Sequence, residues 1–312
     1  MRIGIVTGSG TYALPGFEGE PQEVQTRFGP SRVSVGAFAG NDVLHISRHG
    51  DGHARLSSAV THQANLSALR ELGAEAILAV TVCGATDPSI ELGSLIVFDD
   101  LHFLANRLPD GSLCTLHTDP GVAGRGHWIF DAPFAPSLRA ALVGAASDAG
   151  HPVRDGGCYG HVDGPRFNTR TEIRMLASAG VTAVSQTAGP ETVLAGEAEI
   201  PYALLGYATD YANGVKPDEP TPVEELVRLV GASTDAFARV LSVTGVTSQS
   251  ASHAEGNASN ASNACPTNGA LVVPGGEMFP VLIANAVRAG HITENEARER
   301  YHVHKLIAGW NA

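Results

Sequence analysis

HQANLSALRELGAEAILAVTVCGA, residues 62–85, decides the fold class. Its first part, 62–72, reads as a helix, and 76–82 reads as a strand apolar on both faces. A short continuous apolar run of that kind belongs to a buried sheet strand with helices covering it. The run then ends in Thr81-Val82-Cys83-Gly84-Ala85. A hydroxyl, small side chains and a glycine at a strand's C-terminal end suit backbone donation to an anion, and ligands of open α/β sheets bind at such ends.

Outward from this segment, strand and helix patterns alternate. Strands are expected at 3–7, 33–37, 43–47, 94–98, 181–184 and 202–208. Helices are expected at 136–149, at 169–179 with a Thr169/Glu172 capping box, at 190–197, and at 221–241. The last has Thr221 as cap, Pro222 at its first position and Glu224 completing the box. The expected fold is α/β: a single mixed central β-sheet flanked by helices on both faces, with a small helical C-terminal extension. A nearly apolar-free Ser/Asn/Ala/Gly stretch divides the chain into a domain at 1–245, a linker or loop at 246–269, and the helical extension at 270–312.

Composition narrows the function. The 312 residues carry 20 Lys+Arg against 32 Asp+Glu, a formal charge of −12, which excludes a broad basic face for a nucleic-acid polymer or anionic membrane. A small internal anion site remains compatible, because net charge reports the surface. The four cysteines (Cys83, Cys114, Cys158, Cys265) form no CxxC pair, so neither a zinc site nor a disulfide framework is expected. The apolar runs are too short for a signal segment or a membrane span, so a soluble cytoplasmic protein is expected and the Asn-x-Ser matches at Asn65, Asn257 and Asn260 carry no meaning.

Other strand ends carry chemistry too. Gly8-Ser9-Gly10 with Ala13 formally matches the dinucleotide fingerprint, but Leu14-Pro15-Gly16 breaks the helix that fingerprint must open. A turn whose amides and Ser9 hydroxyl hold one phosphate-sized anion fits better. Arg48-His49 closes the strand at 43–47, and a guanidinium fork suits phosphate. His53 follows; a lone histidine is more often structural. Asp163-Gly164-Pro165-Arg166-Phe167, Ser185-Gln186-Thr187 before Gly189-Pro190-Glu191, and Thr209-Asp210-Tyr211 complete the series.

Taken in order, GIVTGSG, SRHGDGH, HQANLSALRELGAEAILAVTVCGA, HVDGPRFNTRTEIRMLASAGVTAVSQT and GPETVLAGEAEIPYALLGYATDY resemble the trimeric purine nucleoside phosphorylase family, within it the methylthioadenosine phosphorylase branch. The resemblance implies a phosphate site from Ser9, Arg48, His49, Thr81, Val82 and Thr187. It implies a purine site from Cys83, Gly84, Phe167, Asp210 and Asn213, with Asp210 as general acid, and ribose contacts from Gln186. It implies a 5′ pocket from His53, Val223, Leu226 and Val227, with His127 reaching across from a neighbouring subunit of a homotrimer or dimer of trimers. The implied partners are a purine nucleoside and phosphate, with no metal and no cofactor beyond inorganic phosphate as co-substrate.

The expected reaction is phosphorolysis of a 5′-modified purine nucleoside to purine and sugar 1-phosphate. Two positions depart from the branch: Ala212 stands where a second aspartate is usual, and Gln186 replaces a ribose-contacting methionine. A 6-oxopurine nucleoside phosphorylase and a non-catalytic nucleoside-binding relative are the alternatives. An NAD-dependent enzyme is the weakest option.

Overall fold

A computed structural model describes residues 1–119, 126–129, 132–218, 220–246 and 271–274. The chain opens with β1 (Arg2–Thr7), β2 (Glu18–Thr26), β3 (Gly29–Phe38) and β4 (Asn41–Ser47), followed by α1 (His62–Glu71) and β5 (Ala76–Ala85). Next come β6 (Leu95–Val97), β7 (Asp100–His102), β8 (Gly126–Ile129), α2 (Pro136–Asp148), β9 (Val153–Asp155) and β10 (Cys158–His161). Then follow α3 (Arg170–Ser178), β11 (Val181–Ser185), α4 (Ala188–Glu197), β12 (Tyr202–Tyr211), α5 (Val223–Val243) and β13 (Leu271–Pro274).

Eleven of these strands form one mixed sheet around β5. β1 runs parallel to both β4 and β5, and β12 lies parallel along the other edge of β5. The β5 side chains alternate between two cores, as the period of two requires. Ile77, Ala79, Cys83 and Ala85 pack with α1 and α4; Ala76, Leu78 and Val80 pack with α2 and α5. Burial on both faces is why this strand reads as one unbroken apolar run. A third cluster joins α3 to β11 through Ile173, Leu176, Val181 and Val184.

On the β1 edge of β5 the ladder changes hands. β1 pairs with Ala76–Ala79, and the antiparallel β11 pairs only with Gly84 and Ala85. Residues 80–83 lie between the two partners. That interruption positions the site.

Three local readings change. β2 is a largely exposed edge strand, EGEPQEVQT, with no apolar alternation to announce it and Pro21 tolerated because one edge is unpaired. The final helix of the domain starts at Val223, two residues later than expected, with Pro222 at the cap position and no side-chain cap. Thr221 instead accepts a hydrogen bond from the Tyr211 amide, so no capping box forms there. The box at Thr169/Glu172 does form. The expected linker at 246–269 and the helices of the 270–312 extension lie almost wholly outside the described residues; within the extension, β13 pairs antiparallel with β8.

Candidate active site

Arg48 follows β4 directly, and its amide donates to the Thr7 carbonyl (3.0 Å), extending the β1–β4 ladder by one bond. Its side chain passes into the interrupted edge of β5, where Nη1 donates to the Val80 carbonyl (2.7 Å). Nε and Nη2 donate to the two carboxylate oxygens of Glu191 at 2.7 and 2.8 Å. Arg48 and Glu191 are each 1% exposed. Burial opposes both charges, but their mutual attraction and hydrogen bonds outweigh it. Glu191 is held below the ordinary carboxylate range and Arg48 above its own. A Cβ on Gly8 would collide with Nη1, so the glycine after β1 makes room for the guanidinium. Of the five Arg48 N–H donors, two have no partner among the described residues.

Hydroxyls surround this corner. Thr81 Oγ1 and Ser185 Oγ hydrogen-bond across the strand ends at 2.9 Å. Thr187, 4% exposed, occupies the N-cap position of α4 without using its side chain as a cap. Ser9 sits in the turn closed by Thr11 N to Gly8 O. No helix follows that turn: the chain runs on into β2, as the proline and glycine dictate. His49 Nδ1 faces the Arg55 carbonyl at 2.9 Å, so this nitrogen carries the proton. Burial, then the nearby Arg48 charge, pushes the His49 pKa down to about 4, leaving the ring neutral at pH 7 with Nε2 an acceptor. His53 stacks on it, centroids 4.2 Å apart, and hydrogen-bonds Tyr12.

At the far end, β12 carries a bulge. Ala208 pairs with Cys83 and Asp210 with Gly84, so Thr209 is the extra residue. Bulges re-aim the side chain that follows them. Asp210 thereby reaches the cavity, with Oδ1 accepting from the Thr209 hydroxyl (2.9 Å) and Oδ2 lying over Gly84. Burial raises its pKa, partly opposed by that hydrogen bond. Cys83 is buried with its thiol pushed up, by burial and then the Asp210 charge, so it is no nucleophile. Phe167 stands at the mouth, 78% exposed. The Asn213 side chain donates to the Asn168 carbonyl (3.2 Å). Between the two ends, Gln186 accepts from Ser57 (2.8 Å) and donates to the Arg166 carbonyl (3.2 Å).

One cavity of about 540 Å³ is lined by Ser9, Arg48, His49, His53, Thr81, Val82, Cys83, Gly84, Phe167, Gln186, Thr187, Asp210, Asn213 and Leu226. Val223 and Val227 fall outside it: they are exposed, and the cavity face of α5 is Leu226 and Val230, one turn apart. His127 lies in β8, its side chain outside the described residues. The strand-end motifs read from the sequence contain Ser185, Glu191 and Thr209 without a site role for any of them, and Ser57 and Val230 had no site role either. Glu191 left a trace, being an acid in a helix of which nine residues in ten are buried. Among the described residues no cluster of His, Cys, Asp or Glu is placed to hold a metal ion, and no helix is long and apolar enough to cross a membrane.

Comparison with known proteins follows the same outline. The family described as the phosphorylase superfamily matches residues 2–244. A probable 6-oxopurine nucleoside phosphorylase from Thermococcus kodakarensis is 36% identical over 228 residues, covering 72% of this chain and 84% of the relative. An S-methyl-5′-thioadenosine phosphorylase from Mycolicibacterium smegmatis is 35% identical over 218 residues, covering 69% and 79%. Among solved structures, the methylthioadenosine phosphorylase from Schistosoma mansoni in complex with adenine superposes with a TM-score of 0.70 at 26% identity, covering 78% of this chain and 90% of that one.

Proposed function

The chain belongs to the phosphorylase superfamily, and on that premise we propose that it cleaves the N-glycosidic bond of a 5′-modified purine nucleoside with inorganic phosphate. The observation that carries this reading is the shared cavity. Arg48, Thr81 and Thr187 stand at one end and a carboxyl with a raised pKa, Asp210, at the other.

Phosphate is held by Ser9, Arg48, His49, Thr81, Thr187 and the backbone of Val82, in a setting of fixed donors that suits an oxyanion. Neutral His49 accepts from the single O–H of hydrogen phosphate. A phosphate oxygen bonds to C1′ as the C1′–N9 bond breaks, and the electron pair passes to the purine. Asp210, whose burial strengthens its hold on a proton, gives that proton to N7. The purine lies among Cys83, Gly84, Phe167, Asp210 and Asn213, the sugar against Gln186, and the 5′ group against His53 and Leu226. No metal or organic cofactor enters this scheme. The enzyme is cytoplasmic and works as a homotrimer.

A thioether at C5′ suits the apolar Leu226, and a carboxyl can accept from a 6-amino group. A second reading, 6-oxopurine nucleosides as substrates, draws on Ala212 in place of a second acid and on the 6-oxopurine relatives. The test is base release with and without phosphate from methylthioadenosine, adenosine, inosine and methylthioinosine. Phosphate-dependent adenine release from methylthioadenosine is expected. Hypoxanthine from inosine alone would select the second reading, and no release from any of the four would overturn both.

A further inference from the structure

The Arg48–Glu191 pair has no evident purpose as a structural fastener. Replacing a buried ion pair by apolar residues of similar volume is often neutral or stabilising. This one borders the cavity and is fixed on every side. Arg48 is held at three points, two on Glu191 and one on the Val80 carbonyl. Glu191 is itself tied to β12 by the Tyr202 hydroxyl, 3.1 Å from Oε2. It stands one helical turn beyond Thr187, at the start of the same helix. One rigid helix start therefore sets both a cavity hydroxyl and the plane of the cavity arginine. The pair is also neutral overall, so an anion beside it gains from the direction of the two remaining N–H bonds more than from net charge.

Resting on the phosphorylase reading, we infer that Glu191 is a positioning residue for phosphate: it aims the free donors of Arg48 into the cavity without touching the substrate. Tyr202 supports it from behind.

Wild type, Glu191→Gln and Tyr202→Phe are compared in two ways. Steady-state kinetics gives KM for phosphate and for nucleoside separately. Thermal shift gives the rise in Tm on adding inorganic phosphate, or adenine or hypoxanthine. For Glu191→Gln the phosphate KM should rise ~10- to 100-fold, the scale of a misplaced positioning contact. The nucleoside KM should stay within about threefold, as expected when only one substrate's binding is lost. The phosphate-induced Tm rise should vanish while the base-induced rise survives. Tyr202→Phe should move the same quantities in the same direction by less.

A merely structural role predicts a lower Tm with both KM values unchanged, or both raised together, and either pattern overturns the inference. If Glu191→Gln does not fold, Tyr202→Phe decides by the same KM split. If wild type releases no base, yet shows a phosphate-induced Tm rise that Glu191→Gln abolishes, the inference stands and the phosphorylase reading falls. With neither release nor shift, both fall.

Discussion

At the scale of single residues, Asp210 gives the sharpest expectation. Asp210→Ala should lower kcat by ~10²-fold or more, the usual range for a lost general acid. Near-normal turnover would remove it from the mechanism. The sign of its pH dependence follows from burial. A carboxyl whose pKa is raised keeps its proton to higher pH, so the rate it supports falls as pH climbs through that raised value. Wild type should therefore show an alkaline limb in kcat that Asp210→Ala lacks. Arg48, Thr187 and Asp210 could be named from the sequence because each stands at or near the end of a recognisable strand, and the fold brings all three to one cavity. Glu191 was not, since it acts through Arg48, 143 positions away. The aim of Asp210 was hidden as well, because a one-residue bulge at Thr209 leaves no mark on an apolar pattern.

At the scale of elements, α5 shows what periodicity can and cannot say. The helix expected at 221–241 from its apolar stripe does form, but its buried side is Leu229, Ala236, Phe237, Val240 and Leu241. A stripe does not say which neighbour each residue meets, and Val223 and Val227 turn out exposed while Leu226 and Val230 face the cavity. Leu226→Ala should raise KM for methylthioadenosine by ~10-fold, the range for methylene groups lost from an apolar pocket, and should affect adenosine less. Equal effects on both nucleosides would move the 5′ group elsewhere. The start of α5 was misread for a related reason: Thr221 had a competing partner in the Tyr211 amide, remote in sequence. The turn after β1 offers another test. Gly8→Ala puts a methyl where Arg48 Nη1 lies, so the phosphate KM should rise ~10-fold or more. An unchanged phosphate KM would place the guanidinium elsewhere.

At the scale of the whole molecule, four histidines, His45, His49 and His62 buried and His161 half-buried, share one direction. Burial brings His45, His49 and His62 down to about 4 and His161 to about 3, from an ordinary 6.5. Between those values the unfolded chain binds protons that the folded one does not. Stability is therefore present above pH 6.5 and is lost as pH falls toward 4. Each group costs about 1.4 kcal/mol per pH unit in that window. Tm should fall steeply between pH 6.5 and 4.5, and a flat profile there would mean that these rings are not buried neutral. The helix-covered sheet and the spans of its central strands were legible because β5 and β12 are apolar on both sides. The interrupted edge of β5 was not, since pairing partners come from distant segments. It carries a consequence of its own. Where β1 leaves off and β11 has yet to begin, an anion seated beside residues 80–83 would serve as a rung of the sheet. The ligand then completes the architecture it binds to. Slowed amide exchange along that short stretch of β5 on adding phosphate would be its signature, detectable without any turnover.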